Sequence, residues 1–283
     1  MTPITRTFHF ITPAFPHGAY QGQGHNVPEL RGPTVRGQLR WWFAALFGQD
    51  RNGRPGAEET AIFGGVGGGP SASRFTVRPV PVTTASPDQR EILPHKPNSN
   101  HRGPKAAFLP GTEFRVDLLS RREGLSEDPS AKLARALDAW LLLGGVGQRA
   151  NRAAGSLWPE NAPGTEADYA ARCRELLNGS PIRFAVLDRD FGNDEGELRI
   201  VAGDILDGRA FGGCNTPFGS ARPRKPSPLK LRAAWLDGSL RLVAVWDGRQ
   251  QRSDDLRQGV AILAGDNKPL GHLLEPALPQ LIG

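Results

Sequence analysis

Arginine carries the chemistry that this sequence offers most plainly. In ELRGPTVRGQLRWW, Glu29 to Trp42, Arg36 and Arg40 stand four residues apart and share one flank of a helix. Like charges at that spacing cost a helix about 0.2–0.5 kcal/mol, so the pair makes sense facing anions or carboxylates. Arg31 and the Gly32-Pro33-Thr34 step add a third cation and free N–H groups at the positive end of the helix, a ready place for a phosphate. Pairing within the chain, with Glu29, Glu58 or Glu59, is the competing use of the same cations.

A second constellation is GGVGQRANRAAGSL, Gly144 to Leu157. Gly144 and Gly145 can close the preceding helix with positive φ. Gly145 and Gly147 permit close backbone approach, and Arg149, Asn151 and Arg152 follow. Glycine N–H groups beside arginines suit a bent sugar–phosphate backbone, and a plain glycine-rich connection is the alternative. The stretch lacks the GKS or GKT of a Walker loop and the G-x-G-x-x-G of a dinucleotide turn. A third, GGCNTPFGSARPRKPSP from Gly212 to Pro228, reads as an ordered basic surface loop or a disordered linker. The candidate RNA-binding residues are therefore Arg31, Arg36, Arg40, Gly145, Gly147, Arg149, Arg152, Arg224 and Lys225.

Catalytic patterns are sparse. His9, His17, His25, His95, His101 and His272 show no H-E-x-x-H or other metal spacing. His17 and His25 flank a glycine-rich segment and could serve a metal-independent ribonuclease; exposed or internally satisfied histidines are the simpler reading. Asp88, in the Pro81–Pro110 stretch, could hold a metal or activate a 2′-hydroxyl, although a lone loop aspartate is usually only that. Gly64–Gly69 has no lysine for a nucleotide. No catalytic residue, metal or cofactor is expected.

The charge distribution agrees with an anionic partner. The chain holds 35 Lys and Arg against 29 Asp and Glu, a net of +6, and residues 1–110 contain 12 of the bases and only 6 of the acids. A second acid-free stretch, Arg209–Ala234, contains Arg222, Arg224, Lys225, Lys230 and Arg232. Two basic patches point to an anionic partner, most often nucleic acid, and a soluble basic surface without a partner is the alternative. Cys173 and Cys214 are too isolated for a disulfide framework or a zinc site, which fits a reducing cytoplasm. No stretch approaches the roughly 20 apolar residues of a membrane span, and MTPITRTFHFITPAF reads as a strand rather than a signal peptide.

The elements that must position these residues follow from periodicity. Ile4–Ile11 alternates as a strand. Thr34 to Gly48 reads as a helix with Val35, Leu39, Trp42, Phe43 and Leu46 on its apolar face. Arg74–Val82 and Phe114–Leu119 read as strands, with the broken Pro81–Pro110 stretch between them as a functional or disordered loop. Ser130–Leu143 is a second helix, with a strand near Leu157. Strand, helix, strand, strand, helix, strand is the ferredoxin-like order. Beyond it, Glu166–Leu177 reads as a helix, Phe184–Asp188 and Leu198–Ala202 as strands, and Asp254–Leu263 as a short helix. Asp237-Gly238 marks a type I′ hairpin.

At these residues the chain resembles a known family. ITPAF, then ELRGPTVRGQLRWWFAALFG, then EETAIFGG are similar in order to the RAMP superfamily, in particular to the first-numbered RAMP subunit of type III-B (Cmr) CRISPR effector complexes. That subunit opens with a strand ending in Thr-Pro, then Glu-Leu-Arg, a Lys- or Arg-Gly step and a Leu-Arg-aromatic-aromatic helix. GGVGQRANRAAGSL resembles its Gly-Gly-hydrophobic-Gly-x-Arg loop, and RKPSPLKLR a later Arg-x-x-Ser-Pro segment. The matches fall in residues 4–65, 142–158 and 211–232. Gly-Pro-Thr replaces the more usual Pro-Pro-Ser, and the chain is short for the family.

The resemblance implies an α+β protein of two ferredoxin-like (RRM-like) units with antiparallel sheets and long loops, at about residues 1–160 and 161–283. It implies a cytoplasmic, non-catalytic RNA-binding subunit of an antiviral ribonucleoprotein, near the guide RNA's 3′ end. Its partners would be guide RNA, complementary target RNA and other RAMP subunits. RNA cutting in that family belongs to a different subunit. A RAMP endoribonuclease that processes guide precursors is the alternative.

Overall fold

Thr and Phe alternate in ITRTFHF, so Phe8 and Phe10 share one face of an extended strand; both are fully buried. The computed structural model describes residues 3–17, 27–48, 56–66, 70–83, 86–96, 103–121, 125–207, 218–221, 224–225 and 227–248. Its elements begin β1 (Ile4–Phe10), α1 (Gly32–Phe47), α2 (Ala57–Phe63), β2 (Phe75–Pro81), β3 (Asp88–Arg90), β4 (Lys105–Ala107) and β5 (Glu113–Ser120). They continue α3 (Glu127–Leu143), β6 (Leu157–Pro159), α4 (Glu166–Leu177), β7 (Ile182–Val186) and α5 (Glu195–Leu206). The short β8 (Ser220–Ala221) and β9 (Arg224–Lys225) precede β10 (Leu229–Leu236) and β11 (Ser239–Asp247).

The first sheet has the order β2-β5-β1-β6 with every neighbour antiparallel. Leaving aside α2 and the β3–β4 hairpin, this is the ferredoxin-like arrangement that the element order predicts. Phe8 and Phe10 on β1, Phe114, Val116 and Leu118 on β5, and Phe75 on β2 face α1 and α3, where Trp42, Phe43 and Trp140 fill the core. A second sheet, β10-β11-β7, is also antiparallel and packs with α5. The β10–β11 turn has Asp237 at φ 52° and Gly238 at φ 77°, as a type I′ hairpin requires.

One hydrophobic cluster runs through both sheets, and an arginine sits inside it. Arg232 on β10 is 2% exposed. It donates to the carbonyls of Leu141 at 3.1 Å, Leu157 at 2.8 Å and Ala233 at 2.7 Å. The guanidinium thereby ties β10 to the end of α3 and to β6.

Several expectations change. α1 begins two residues before Thr34, with Arg31 at the cap position and Pro33 in the first turn, where its missing N–H costs nothing. α3 likewise begins before Ser130, at Glu127 after Ser126, with Pro129 inside its first turn. Leu198–Ala202 is helix, not strand: Leu198, Ala202 and Ile205 recur at helical spacing and are fully buried, and the Asp194 side chain caps the helix by accepting from the Glu197 N–H at 2.8 Å. The Pro81–Pro110 stretch is not structureless, since β3 pairs with β4 inside it. Asp254–Leu263 lies outside the described residues. Among the described residues no helix is long and apolar enough to cross a membrane.

Candidate nucleic-acid interface

The first turn of α1 has no side-chain cap and no acidic residue, so its N–H groups and the helix dipole present bare positive charge. Gly32 brings this turn against β2: a Cβ there would lie 2.7 Å from the Val77 carbonyl oxygen. The helix end borders an open groove of about 630 Å³, lined by Gly32, Pro33, Arg36, Gly64, Ser71 and Arg121 among others. The only ionisable groups among the described residues that line it are the two arginines. Arg36 donates through Nη2 to the Phe63 carbonyl, which leans the guanidinium over α2. Its Nε, like that of Arg31, is buried without a hydrogen-bond partner. Arg31 Nε stands 3.9 Å from the exposed carboxylate of Glu29, beyond hydrogen-bond reach.

Arg40, one turn on, is differently occupied. Its Nε donates to the buried Glu59 carboxylate at 2.6 Å. Internal pairing, the competing use, therefore describes Arg40, whereas Arg36 opens on the groove.

The glycine loop is a junction. Gly147, at φ 92°, lies so close to Phe15 that a Cβ would meet the Phe15 carbonyl carbon at 2.6 Å. Gly155, at φ 62°, would meet the Val146 oxygen at 2.1 Å, and a Cβ on Gly145 would meet the Gly155 oxygen at 3.2 Å. The close approach that these residues permit is thus to their own chain. Gln148 N–H donates to Phe15 O at 3.1 Å and Gly155 N–H to Pro13 O at 2.9 Å. On the other side Ala153 N–H donates to Leu231 O at 2.8 Å, and Leu231 N–H to Asn151 O at 3.0 Å. Arg149 adopts a left-handed φ of 62°. Arg152 donates to Asp207 at 2.6 Å and to the Gly203 carbonyl at 2.9 Å.

Asp207, at the end of α5, also accepts from His95 Nε2 at 3.1 Å and from Lys96 Nζ. Burial alone would raise its carboxyl, but the hydrogen bonds of His95 and Lys96 and the charge of Arg152 hold it far below the ordinary carboxylate range. Arg40 and Arg152 thus turn to different elements, α2 and α5, rather than to one shared ligand.

The acid-free stretch is not a uniformly basic surface. Arg232 is enclosed, and Lys230 lies 3.4 Å above the Trp41 ring; burial lowers its ammonium to about 8, against the opposing charge of Asp247. Arg224 and Lys225 lie in β9, paired to β8. Arg222 and Cys214 fall outside the described residues.

A third cluster was not singled out from sequence. On the face of the first sheet away from the helices, Thr5, Asp117 and Arg78 form one cross-strand row, and Thr7, Arg115 and Val80 the next. Arg78 donates to Asp117 at 2.9 Å and 3.3 Å, Arg115 at 3.0 Å and 3.3 Å, and the Thr5 hydroxyl at 3.2 Å. The enclosed Asp117 carboxyl would be raised by burial, but the two arginines and Thr5 together carry it below the usual value. Alternation opposite Phe114, Val116 and Leu118 is the only sequence sign of these residues.

The histidines are dispersed. His17 Nε2 lies 3.0 Å from the Ala106 carbonyl and burial lowers its pKa. Burial likewise lowers His9, with Glu113 opposing. His25, His101 and His272 fall outside the described residues. Asp88 is exposed and pairs with Arg90. Among the described residues no group of three or more His, Cys, Asp or Glu is placed to hold a metal.

Residues 7–158 match the model of the RAMP superfamily. Over 150 residues the chain is 30% identical to the CRISPR system Cmr subunit Cmr1-1 of Pyrococcus furiosus, a stretch that covers 46% of this chain and 40% of that protein. The match thus spans about two fifths of the relative's length. The crystal structure of apo Cmr1 from Pyrococcus furiosus is similar with a TM-score of 0.57 at 19% identity, over 86% of this chain and 87% of that one. A chain in a cryo-EM structure of the type III-B Cmr-beta complex bound to cognate target RNA and AMPPnP, in the presence of ssDNA, is similar with a TM-score of 0.53 at 10% identity, over 86% and 93%. At these identities the structural likeness is one of fold.

Proposed function

Because this chain belongs to the RAMP superfamily, we propose that it is a non-catalytic RNA-binding subunit of a type III-B (Cmr) CRISPR ribonucleoprotein. It sits beside other RAMP subunits, near the guide's 3′ end, and helps capture complementary target RNA. The observation that carries this reading is the groove at the start of α1. An uncapped helix end, Arg36 and Arg121 converge on it, with no carboxylate among the described residues of its lining. Nε of Arg31 and Nε of Arg36 are buried without a hydrogen-bond partner, so both side chains carry donor capacity that the fold leaves unused.

In this reading Arg31 and Arg36 bind phosphates, with Arg149, Arg224 and Lys225 as further cations along the strand. Arg40 and Arg152 hold the frame through Glu59 and Asp207. Gly145 and Gly147 let the loop pack closely on its own chain, against Gly155 and Phe15. The supporting likeness is the match of residues 7–158, which contain α1 and its arginines, to the RAMP superfamily, together with the similarity to part of the longer Pyrococcus furiosus Cmr subunit.

The test is the affinity of the purified chain for single-stranded RNA across a salt series. Replacing Arg36 and Arg121 together by Gln should weaken binding and reduce the salt slope by about 0.7 for each phosphate that is no longer neutralised. Unchanged affinity and slope would overturn the reading. Incubation with a repeat-containing transcript checks the processing alternative, because a discrete cut that disappears with His17→Ala would replace it.

A further inference from the structure

The outer face of the first sheet bears a preorganised pair of arginines for which the groove at α1 has no use. Thr5, Thr76 and Arg78 are exposed there, while Asp117 is 4% exposed beneath them. Each guanidinium grips the Asp117 carboxylate through Nε and Nη2. Among the described residues no hydrogen bond occupies their Nη1 groups, and one of the two positive charges is left uncompensated there. Holding a guanidinium against a carboxylate removes much of the rotamer entropy that an arginine loses on binding.

The position of this pair is as informative as its chemistry. β2 is the edge strand of the sheet, and its residues alternate between the two faces. Val77 points to α1 and lines the groove, Arg78 lies on the outer face, and Thr76, on that face by its register, also borders the groove. Arg121 joins the two sides: it lines the groove with Arg36, and its Nε donates to the Thr76 hydroxyl at 3.3 Å. Arg36, Arg121, Arg78 and Arg115 therefore follow one another around the β2 edge. Glu113, beside His9 at the far end of the sheet, marks where this run of positive charge stops.

We infer that the outer face of the first sheet is a second phosphate-binding surface, on which Arg78 and Arg115 hold the sugar–phosphate backbone of a single-stranded nucleic acid that continues around the β2 edge from the α1 groove. This deepens the RNA-binding reading and rests on it. The occupant is a phosphodiester strand rather than stacked bases, because the two rows that hold the arginines contain no aromatic ring on which bases would stack, and Trp158, opposite His9 in the next row, is buried against Tyr169. Recognition of this kind is independent of base sequence.

The experiment measures the binding of the 283-residue chain to a labelled oligouridylate of about 16 nucleotides, near the upper end of site sizes for single-strand binding folds. Arg78→Gln/Arg115→Gln keeps hydrogen bonds to Asp117 while removing both charges. It should weaken binding about tenfold and lower the salt slope by about 1.4, or 0.7 for each of the two phosphates released. Arg78→Lys/Arg115→Lys, which restores charge without the bidentate grip, should recover the slope and only part of the affinity. Circular dichroism and a thermal melt show whether each variant is folded. Should the glutamine pair not fold, the lysine pair and the single Arg78→Gln variant decide the matter by the same slope.

If Arg36→Gln/Arg121→Gln weakens binding while folded Arg78 and Arg115 variants match the parent, the inference falls and the RNA-binding reading stands. No binding by the parent chain overturns both. Intact RNA binding with impaired association to partner subunits makes the face a protein interface and overturns the inference alone.

Discussion

Arg40 donates through Nε to the buried carboxylate of Glu59 at 2.6 Å, one helical turn from Arg36, whose guanidinium opens on the groove instead. The two arginines should therefore fail in different ways. Arg40→Ala leaves a buried carboxylate without its partner and should lower stability by roughly 1–3 kcal/mol, with little change in the salt slope of RNA binding. Arg36→Ala should do the reverse. Denaturant unfolding of both variants, set beside their RNA isotherms, separates the roles; identical stability losses would refute the assignment.

Gly37 is exposed on α1, and a Cβ there would meet nothing within 4 Å. A glycine inside a helix costs about 0.5–1 kcal/mol relative to alanine. Gly37→Ala should therefore stabilise the isolated chain by about that amount. A loss of RNA affinity in the same variant would place the bound strand against the bare backbone between Arg36 and Arg40. Thermal melts and binding isotherms of the one variant answer both questions.

Arg232 supplies the hydrogen bonds of three main-chain carbonyls from inside the core. Arg232→Ala leaves them unpaired beside a cavity and should cost roughly 2–4 kcal/mol. Arg232→Met, which keeps the volume, should cost less. Neither should change the salt slope, because this cation faces no solvent. A slope that fell with Arg232→Met would return the residue to the surface.

Acid should loosen the junction at Asp207. Its folded carboxyl lies far below the unfolded value near 3.9. The stability it contributes is thus present above about pH 4 and declines as pH falls from there toward the folded value. Asp207→Asn should be the less stable protein at pH 7, and the gap should narrow below about pH 4. Urea midpoints at pH 7, 5 and 3 report this; a gap that widened on acidification would contradict it.

The predicted and observed elements agree where side-chain period is strong and local. Val35, Leu39, Trp42, Phe43 and Leu46 repeat at helical spacing and are all buried. Asp237-Gly238 carries its own turn chemistry. Agreement is lost where local cues are short or compete. Leu198–Ala202 is too brief to distinguish strand from helix by its apolar residues, and the Asp194 cap decides it. The Pro81–Pro110 stretch looks too polar for ordered structure, yet Ile92 and Leu93 pack with Phe15, Ala107 and Ala154, and Arg199 donates to the Glu91 carbonyl at 2.6 Å.

The sequence by itself determined the ferredoxin-like order of the elements around the first sheet, the β10–β11 hairpin and the family, and it marked the arginines of α1 and the glycine loop as candidates. All of these rest on the spacing of neighbours along the chain. Only the tertiary structure decided what each arginine does. Arg40 finds Glu59, nineteen residues away, Arg152 finds Asp207, fifty-five away, and Arg232 finds the carbonyls of α3 and β6. Arg36 retains an unpartnered Nε beside the groove, and Arg78 and Arg115 meet over Asp117 because β2 and β5 align in that register. A guanidinium is equally suited to a carboxylate, a carbonyl or a phosphate. Which of them it receives depends on what folding brings within about 3 Å, and local spacing carries no record of that.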